Sequence, residues 1–457
     1  MGSMRHPRLV LLLVVLLVIA GAALGMVLLA PRVIDVVPET NEAVPAGSAL
    51  QITFSQDMRT DNVQAKLEIQ PKISGQYTWE GPTLTFTPNE PWPSGTTVSI
   101  NLPRGIRAAG GLGLPLLQPF ETTFNIAEPQ ILYLYPSNGP ADLYLLNPQS
   151  SDTKRLTTVQ GGLQSYATTS DGRRIYFATR SGAIYQLDRA SGETSLFYDC
   201  PQAACSDPQI SPDDRFLAFV STPEESSGPQ ANPQVWLAAL AGSAPRLVDD
   251  QALSTQLPRW SPNGQLVYYD EINQVYLVWN PDTNERRTFP NQTGEPGVWS
   301  PDGNSFYAPE IYLIPNAYLS SSGTLEPMPT SHLLRFDVNS GQSTDLTEED
   351  TLEDTSPSIS PDGSRLAFAR KYLDPARWTP GRQLWVLDTR SGAASALTDA
   401  PFYNHSAFNW KPDSSQLLFV RSNQADLSEP PEIWRINADG SDPVRLIIGG
   451  YAPHWIP

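Results

Sequence analysis

The sequence is poor in the residues that carry thiol, metal and nucleic-acid chemistry. Its 457 residues include only two Cys and four His, and 30 Lys and Arg stand against 48 Asp and Glu. The net charge of −18 argues against nucleic acid as a partner, because binding of phosphates needs clustered basic side chains. The H-E-x-x-H, Walker and G-x-G-x-x-G motifs are also absent. We therefore expect no metal site, no cofactor and no enzymatic activity.

What the sequence does contain is proline and aromatic residues. There are 44 Pro, together with 11 Trp, 17 Tyr and 15 Phe. Proline breaks helices and aromatic residues favour strands, so this composition predicts short strands joined by many turns. The length is sufficient for two or three domains. We expect an all-β protein.

Residues 9–30 form an apolar run without a charge. As a helix it would be about 33 Å long, enough to cross a bilayer whose hydrocarbon core is about 30 Å thick. Arg5 and Arg8 precede the run, which predicts a cytoplasmic tail over residues 1–8, an anchor over 9–30 and the rest of the chain outside. A cleaved signal peptide is the alternative, since Ala20-Gly21-Ala22 resembles a cleavage site. Both interpretations export the bulk of the chain, and the first predicts a single-pass protein of the cell membrane.

The two cysteines, Cys200 and Cys205, lie close together in DCPQAACSD. In an oxidising compartment such a pair is expected to close a small disulfide loop. Two unpaired thiols, or a metal or redox site, are the alternatives. The spacing differs from that of a redox C-x-x-C motif.

Residues 33–126 predict a first domain of short strands. Apolar and polar residues alternate in segments such as 49–54 and 96–102, and turn clusters separate them. Evenly spaced strands over this length are typical of a β-sandwich. The segments VPAGSALQITFSQDM, YTWEGPTLTFTPNEPWPSGTTVSINL and FETTFNI resemble the bacterial Ig-like domain of surface-layer and adhesin proteins. That resemblance implies a spacer or stalk.

An internal repeat organises residues 130–457. A turn of the form S-P-D-G, followed by a short apolar strand, occurs six times, with its Asp or Asn at positions 171, 213, 263, 302, 362 and 413. A second strand with an aromatic near its start follows in most units, as in QLWVLD and EIWRIN. Four strands per unit of 40–60 residues are typical of a propeller blade.

The ends of this region complement each other. Residues 131–157 provide three strands of a unit but no first strand, and residues 451–457, YAPHWIP, match the first-strand pattern of LPRWSP. We therefore predict seven blades, closed by the C-terminal strand. Tryptophans of the first strands are expected to pack between blades: Trp260, Trp299, Trp410 and Trp455. The turn aspartates are interpreted as tight-turn residues, with calcium sites as the alternative.

These units resemble the propeller repeats of TolB, the tricorn protease and the prolyl oligopeptidase family. The resemblance implies the propeller fold and, for the TolB type, a scaffold that binds proteins in the bacterial envelope. A G-x-S-x-G elbow, which would mark the hydrolase domain of oligopeptidases, is absent. Two hypotheses follow. The first is a membrane-tethered protein whose propeller binds a protein, peptide or glycan, and the second is an exported propeller hydrolase or lyase acting on a saccharide or peptide.

The expected binding face follows from the connections between strands. Antiparallel strands place the first and third turns of every blade on one rim, and the second connection and the link to the next blade on the other. The long insertions 221–233, 309–331, 371–382 and 422–431 are second connections, and FYNHSAF (402–408) is expected to be a loop between blades. Variable loops on a rigid scaffold often bind ligands. The candidate binding residues on this rim are Tyr312, Tyr318, Tyr372, Arg377, Trp378, Tyr403 and His405.

Overall fold

The computed structural model describes residues 7–89, 92–224, 232–242, 244–319, 325–347 and 349–457. The chain divides into two compact units, Met1–Glu128 and Pro129–Ile456. Helix α1 spans Pro7–Leu29. No helix that could cross a bilayer is found among the described residues. The structure does not support the anchor over 9–30, which stays a prediction, and most of the tail over 1–8 lies outside the described residues.

The first unit contains two four-stranded sheets. Its elements are β1 (Val33–Val37), β2 (Ala43–Val44), β3 (Leu50–Phe54), α2 (Thr60–Gln64), β4 (Glu68–Gln70), β5 (Gly75–Glu80), β6 (Thr83–Pro88), β7 (Thr97–Leu102) and β8 (Phe120–Ile126). The strand orders are β1-β3-β6-β5 and β2-β8-β7-β4. Leu50, Ile52 and Phe54 alternate with more exposed residues and are buried. This period of two lets one face of each sheet form the core.

The described residues of the second unit form seven groups of four strands, here called blades I to VII. Blade I is β9 (Gln130–Tyr135), β10 (Asp142–Leu146) and β11 (Thr153–Arg155), with β36 (Tyr451–Ile456). Blade II is β12 (Leu163–Thr168), β13 (Arg174–Thr179), β14 (Ile184–Asp188) and β15 (Thr194–Tyr198). Blade III is β16 (Ala203–Ile210), β17 (Phe216–Pro223), β18 (Gln234–Ala239) and β19 (Arg246–Leu247). Blade IV is β20 (Thr255–Trp260), β21 (Leu266–Asp270), β22 (Val275–Trp279) and β23 (Arg286–Pro290).

The remaining blades follow the same plan. Blade V is β24 (Val298–Trp299), β25 (Ser305–Leu319), β26 (Leu325–Asp337) and β27 (Ser343–Asp345). Blade VI is β28 (Leu352–Ile359), β29 (Arg365–Tyr372), β30 (Gln383–Asp388) and β31 (Ala394–Ala396). Blade VII is β32 (Tyr403–Trp410), β33 (Gln416–Asn423), β34 (Glu432–Asn437) and β35 (Val444–Ile448). A parallel bridge between Ser331 and Glu353 joins blades V and VI.

The blades are held together by apolar clusters. Among the described residues, seven buried clusters each combine side chains from two successive blades, and the last combines blade VII with blade I. In that last cluster Val420 and Ile433 pack with Ile131 and Trp455. The four-stranded sheets and their packing are consistent with a β-propeller.

The C-terminal strand completes the first blade. Strand β36 pairs with β9 in antiparallel register, with Trp455 opposite Ile131 and Ile456 opposite Gln130. This pairing gives blade I its fourth strand and leaves β9 without a free edge. It is the pairing that the complementary end fragments predict.

Tryptophans of the first strands also fasten neighbouring blades through hydrogen bonds. In three cases the indole N–H donates to a carbonyl on the first strand of the preceding blade at 2.9–3.1 Å: Trp260 to Gln209, Trp299 to Arg259 and Trp410 to Ser358. Most buried indole N–H groups in proteins have such a partner, although that of Trp455 has none among the described residues. The sequence pattern of these strands thus marks contacts between blades.

The aspartates of the S-P-D-G turns accept hydrogen bonds from groups of their own turns. The Ser300 hydroxyl donates to Asp302 at 2.5 Å, and the backbone N–H of Asn304 donates to the same carboxylate at 3.0 Å. These hydrogen bonds, that of Ser300 first, hold the pKa of Asp302 below its usual value. The same Ser–Asp contact recurs at Asp213 and Asp362. It supports the tight-turn interpretation of these residues.

A bulge recurs in the first strands. Five residues at the same position of these strands have left-handed φ values between +47° and +58°: Asp207, Leu257, Ser356, Ala407 and Ala452. Each lies where the pairing with the second strand shifts. A bulge of this kind inserts a residue and bends the strand without ending it. The first strands therefore begin earlier than their Pro and Trp pattern indicates.

Candidate binding surface

The two rims of the propeller unit differ in composition. We call the rim with the S-P-D-G turns the turn rim, and the opposite one, with the second connections and the links between blades, the insertion rim. Eleven large apolar side chains are exposed among the described residues of this unit, and ten of them belong to the insertion rim. They are Tyr135, Leu253, Ile272, Ile311, Tyr312, Leu313, Trp378, Phe402, Leu427 and Ile448. Only Leu196, within β15, lies elsewhere.

The insertion of blade VI combines three of the candidate residues. The guanidinium of Arg377 lies over the Tyr372 ring at 3.9 Å and forms ion pairs with Glu349 at 2.6 Å and Asp374 at 2.7 Å. The hydrogen bond with Glu349, followed by that with Asp374, raises the pKa of Arg377. This network fixes the loop that presents Trp378, whose side chain is 54% exposed.

Tyr403 belongs to a second cation–π arrangement, in blade VII. The Arg421 guanidinium lies 4.2 Å from the Tyr403 ring and 4.0 Å from the Trp434 ring. Glu432 accepts from Arg421 and from the Trp434 indole, both at 2.8 Å, and from Arg445 at 2.9 Å. Burial raises the pKa of Glu432, but these hydrogen bonds outweigh it and the pKa lies below its usual value.

Tyr312 lies on β25, in a part of the chain that extends the β25–β26 hairpin and is not a loop. Strands β25 and β26 are paired through most of the predicted insertion 309–331, of which residues 320–324 lie outside the described part. The Tyr312 ring packs on the His332 ring at 4.8 Å, and His332 Nδ1 lies 2.6 Å from Asp345. Tyr318 is on the same strand, and its side chain lies outside the described part. Residues 225–231 of the insertion 221–233 also lie outside it.

His405, a candidate binding residue, is buried in a strand. The segment FYNHSAF is not a loop, because β32 begins at Tyr403 and the bulge at Ala407 lets the strand continue to Trp410. His405 is buried, its Nδ1 lies 2.8 Å from the Arg382 carbonyl, and its ring packs on Phe419. Burial lowers the pKa of His405 to about 4. The side chain is a neutral part of the blade core and is not available to a ligand.

Sequence reasoning missed two arginines that support the insertion rim. Arg370 forms a bidentate ion pair with buried Asp354, at 2.8 and 2.7 Å, and lies 5.0 Å from the Trp385 ring. Arg421 occupies the corresponding position in blade VII, beside Trp434. A signal was present, because both arginines directly follow the apolar core of a second strand, in LAFAR and LLFVR. Both stack on the aromatic near the start of the third strand.

A cavity of about 360 Å³ lies between the first strands of blades I, II, III and VII. His454 contributes to its wall, and His454 Nδ1 lies 2.9 Å from the Asn409 side-chain nitrogen. Its imidazole is open to this cavity but surrounded by protein, and the resulting desolvation lowers the pKa of His454 to about 4. The histidine is therefore neutral at physiological pH.

Cys200 and Cys205 form a disulfide, with their Cα atoms 6.0 Å apart. Both side chains are buried in the cluster between blades II and III. No group of three or more His, Cys, Asp or Glu suited to a metal ion is found in the described part of the chain.

Comparison with known proteins agrees with this architecture. Residues 29–125 match the family model of the bacterial Ig-like domain. The N-terminal unit carries a bacterial Ig-like domain. Dipeptidyl-peptidase 5 of Porphyromonas gingivalis is 25% identical over 138 residues, which are 30% of this chain and 18% of that protein. The chain thus matches less than a fifth of that relative's length.

The propeller has solved structural neighbours. A structure from a study of two prolyl endopeptidases is 14% identical, with a TM-score of 0.50, over 69% of this chain and 49% of that one. A putative TolB from Agrobacterium tumefaciens is 18% identical, with a TM-score of 0.42, over 71% of this chain and 92% of that one. At such identities a likeness concerns the fold, because unrelated functions share one fold.

Proposed function

We propose that this protein is an extracytoplasmic binding protein, tethered to the cell membrane by residues 9–30, whose propeller binds a protein, peptide or glycan of the cell envelope. The insertion rim is the binding face, and the protein acts as a scaffold rather than as an enzyme. The observation that carries the proposal is the one-sided distribution of exposed apolar side chains, ten of eleven on one rim. Single exposed apolar residues are ordinary on protein surfaces, whereas their concentration on one face is typical of an interaction site.

The composition of this face also supports binding. Trp378 and Tyr312 are 54% and 39% exposed, and Arg377, which directly precedes Trp378, lies over the Tyr372 ring. Trp, Tyr and Arg are enriched among the residues that dominate binding energy. Their supporting contacts hold them in place before a partner arrives, which reduces the entropy lost on binding.

The turn rim is a poor alternative. Its aspartates already accept hydrogen bonds from their own turns, as Asp302 and Asp362 do. Short turns with satisfied polar groups leave a partner little new to contact. This favours the insertion rim as the proposed binding face.

The proposed tether is supported by the sequence and by the disulfide. Residues 9–30 contain no charge, and Arg5 and Arg8 precede them. The Cys200–Cys205 disulfide suits an oxidising compartment outside the cytoplasm. Both observations support the export of the propeller.

The experiment is site-specific photo-cross-linking in cells that produce the full chain. A photoreactive amino acid replaces Trp378 or Leu427 on the insertion rim, and the matched controls are Arg390 and Asp439, which are exposed on the turn rim of the same blades. We expect discrete adducts at the first two positions and none at the controls. Adducts of equal yield on both rims would contradict the assignment.

A further inference from the structure

The Ig-like unit carries an apolar tongue, here defined as residues 105–119. Its two arms are joined by backbone hydrogen bonds from Leu116 to the Ile106 carbonyl at 2.6 Å and from Ala108 to the Leu114 carbonyl at 3.1 Å. At its tip Gly111 and Gly113 have positive φ, of +61° and +56°, which glycine adopts without strain. The tongue is therefore an ordered hairpin.

The apolar side chains of this tongue point in two directions. Ile106, Ala108 and Leu116 are buried in the core of the sandwich. Leu112, at the tip, is 78% exposed, and Leu117 is 45% exposed. The core explains the first group, whereas the described part of the unit leaves the second group exposed.

The apolar surface of the tongue continues onto helix α1. A cavity of about 260 Å³ is lined by Val27 and Ala30 on one side and by Leu117 and Phe120 on the other. Along the end of the helix Leu28 is 72% exposed. Leu117 of the tongue thus adjoins the end of the helix.

Basic side chains lie beside this apolar surface, with Arg32 in the wall of the cavity and Arg107 in the tongue. Arg32, Arg59, Arg104 and Arg107 are all exposed. Arg107 Nη1 donates to the Gly113 carbonyl at 3.3 Å, and the Arg59 N–H donates to the Arg107 carbonyl at 3.0 Å. Three acidic residues also lie nearby: Asp57, whose carbonyl accepts from the Ala109 N–H, Asp61 in α2, and Glu121, which follows Phe120. Exposed apolar residues with arginines beside them suit the boundary between acyl chains and anionic headgroups.

We propose that the tongue inserts Leu112 and Leu117 into the surface of an anionic lipid bilayer next to the membrane anchor. The Ig-like unit would then be held against the membrane and would not be a freely swinging stalk. This inference rests on the proposed membrane tether. The occupant is the bilayer because Leu117 adjoins the end of α1, Leu112 is exposed at the tip of the same hairpin, and Arg32 and Arg107 lie beside them.

The test uses the full chain in vesicles of phosphatidylcholine and phosphatidylglycerol. Both native cysteines form the disulfide, so a single introduced cysteine can be labelled with an environment-sensitive fluorophore. Labels go at Leu112→Cys and Leu117→Cys, and at Leu17→Cys as a reference for the anchor. The matched control is Ser74→Cys. Ser74 is exposed and directly precedes strand β5. The other end of β5 leads to the turn at Pro82, whose carbonyl accepts from the Phe54 N–H. Lipids with a nitroxide on the acyl chain report contact with the bilayer.

We expect several-fold stronger quenching at Leu112, Leu117 and Leu17 than at Ser74. Quenching at Leu17, with Leu112 no different from Ser74, would overturn the inference and leave the tether intact. Quenching at Leu112 without quenching at Leu17 would support the tongue and contradict the spanning anchor. Shielding of Leu112 in the absence of vesicles, increasing with protein concentration, would indicate a second copy of the chain and overturn the inference.

Discussion

Removal of residues 451–457 should disrupt the propeller although it deletes only seven residues. The truncation takes away β36, and with it Trp455 and Ile456, which are 5% and 0% exposed. Burial of two such side chains is worth about 3–6 kcal/mol, and the partners Ile131 and Tyr133 lose their cover as well. The net stability of a folded domain is only about 5–15 kcal/mol. The free energy of unfolding of the propeller unit should therefore fall by about 4 kcal/mol or more.

The assay is thermal unfolding of the full and truncated chains in detergent, followed by near-ultraviolet circular dichroism. The Ig-like unit keeps its sequence and is the internal control. A synthetic peptide of residues 451–457, added in excess, should restore part of the loss, because a ligand that binds only the folded state stabilises it. An unchanged, cooperative transition of the truncated propeller would refute the closure of the ring by β36.

Three further predictions concern buried groups. Burial lowers the pKa of His405 to about 4, so as the pH falls the unfolded chain takes up this proton at a higher pH than the folded chain does. The free energy of unfolding should therefore fall by about 3 kcal/mol between about pH 6.5 and pH 4. In urea titrations at each pH, His405→Gln should reduce this dependence of the free energy of unfolding on pH. Asp354→Asn should lower the free energy of unfolding by about 3–5 kcal/mol, because it leaves the buried Arg370 without its ionic partner. Glu349→Gln, which removes the exposed ion pair with Arg377, is the control and should leave the melting temperature unchanged in calorimetry. Replacing Cys200 and Cys205 by Ala should cost about 2 kcal/mol in denaturant unfolding, since the disulfide closes a short loop.

The repeat could be predicted from the sequence because its signals are local. The role of an Asp in a tight turn, such as Asp302, can be inferred from the few residues around it. The same holds for a Trp at the end of a first strand, such as Trp299. The complementary end fragments then led to the pairing of β36 with β9. Local turn chemistry and alternation are sufficient for such elements.

The errors lie where pairing decides the outcome. The bulge at Ala407 lets β32 begin at Tyr403, so His405 is buried in a strand rather than exposed in a loop. The insertion 309–331 is likewise a hairpin, because β25 and β26 pair through most of it. The ion pair of Arg370 with Asp354 joins two strands of one sheet, and although LAFAR marks the arginine, neither segment identifies Asp354 as its partner. Contacts of this kind depend on register, which the sequence specifies only through the whole fold.

The most direct test of the binding rim is hydroxyl-radical footprinting of the full chain in its native membrane and after purification in detergent. We expect Trp378, Phe402 and Tyr312 to be oxidised more slowly in the native membrane, while side chains of the turn rim react equally in both states. Protection confined to the turn rim, or no difference at these three residues, would contradict this expectation.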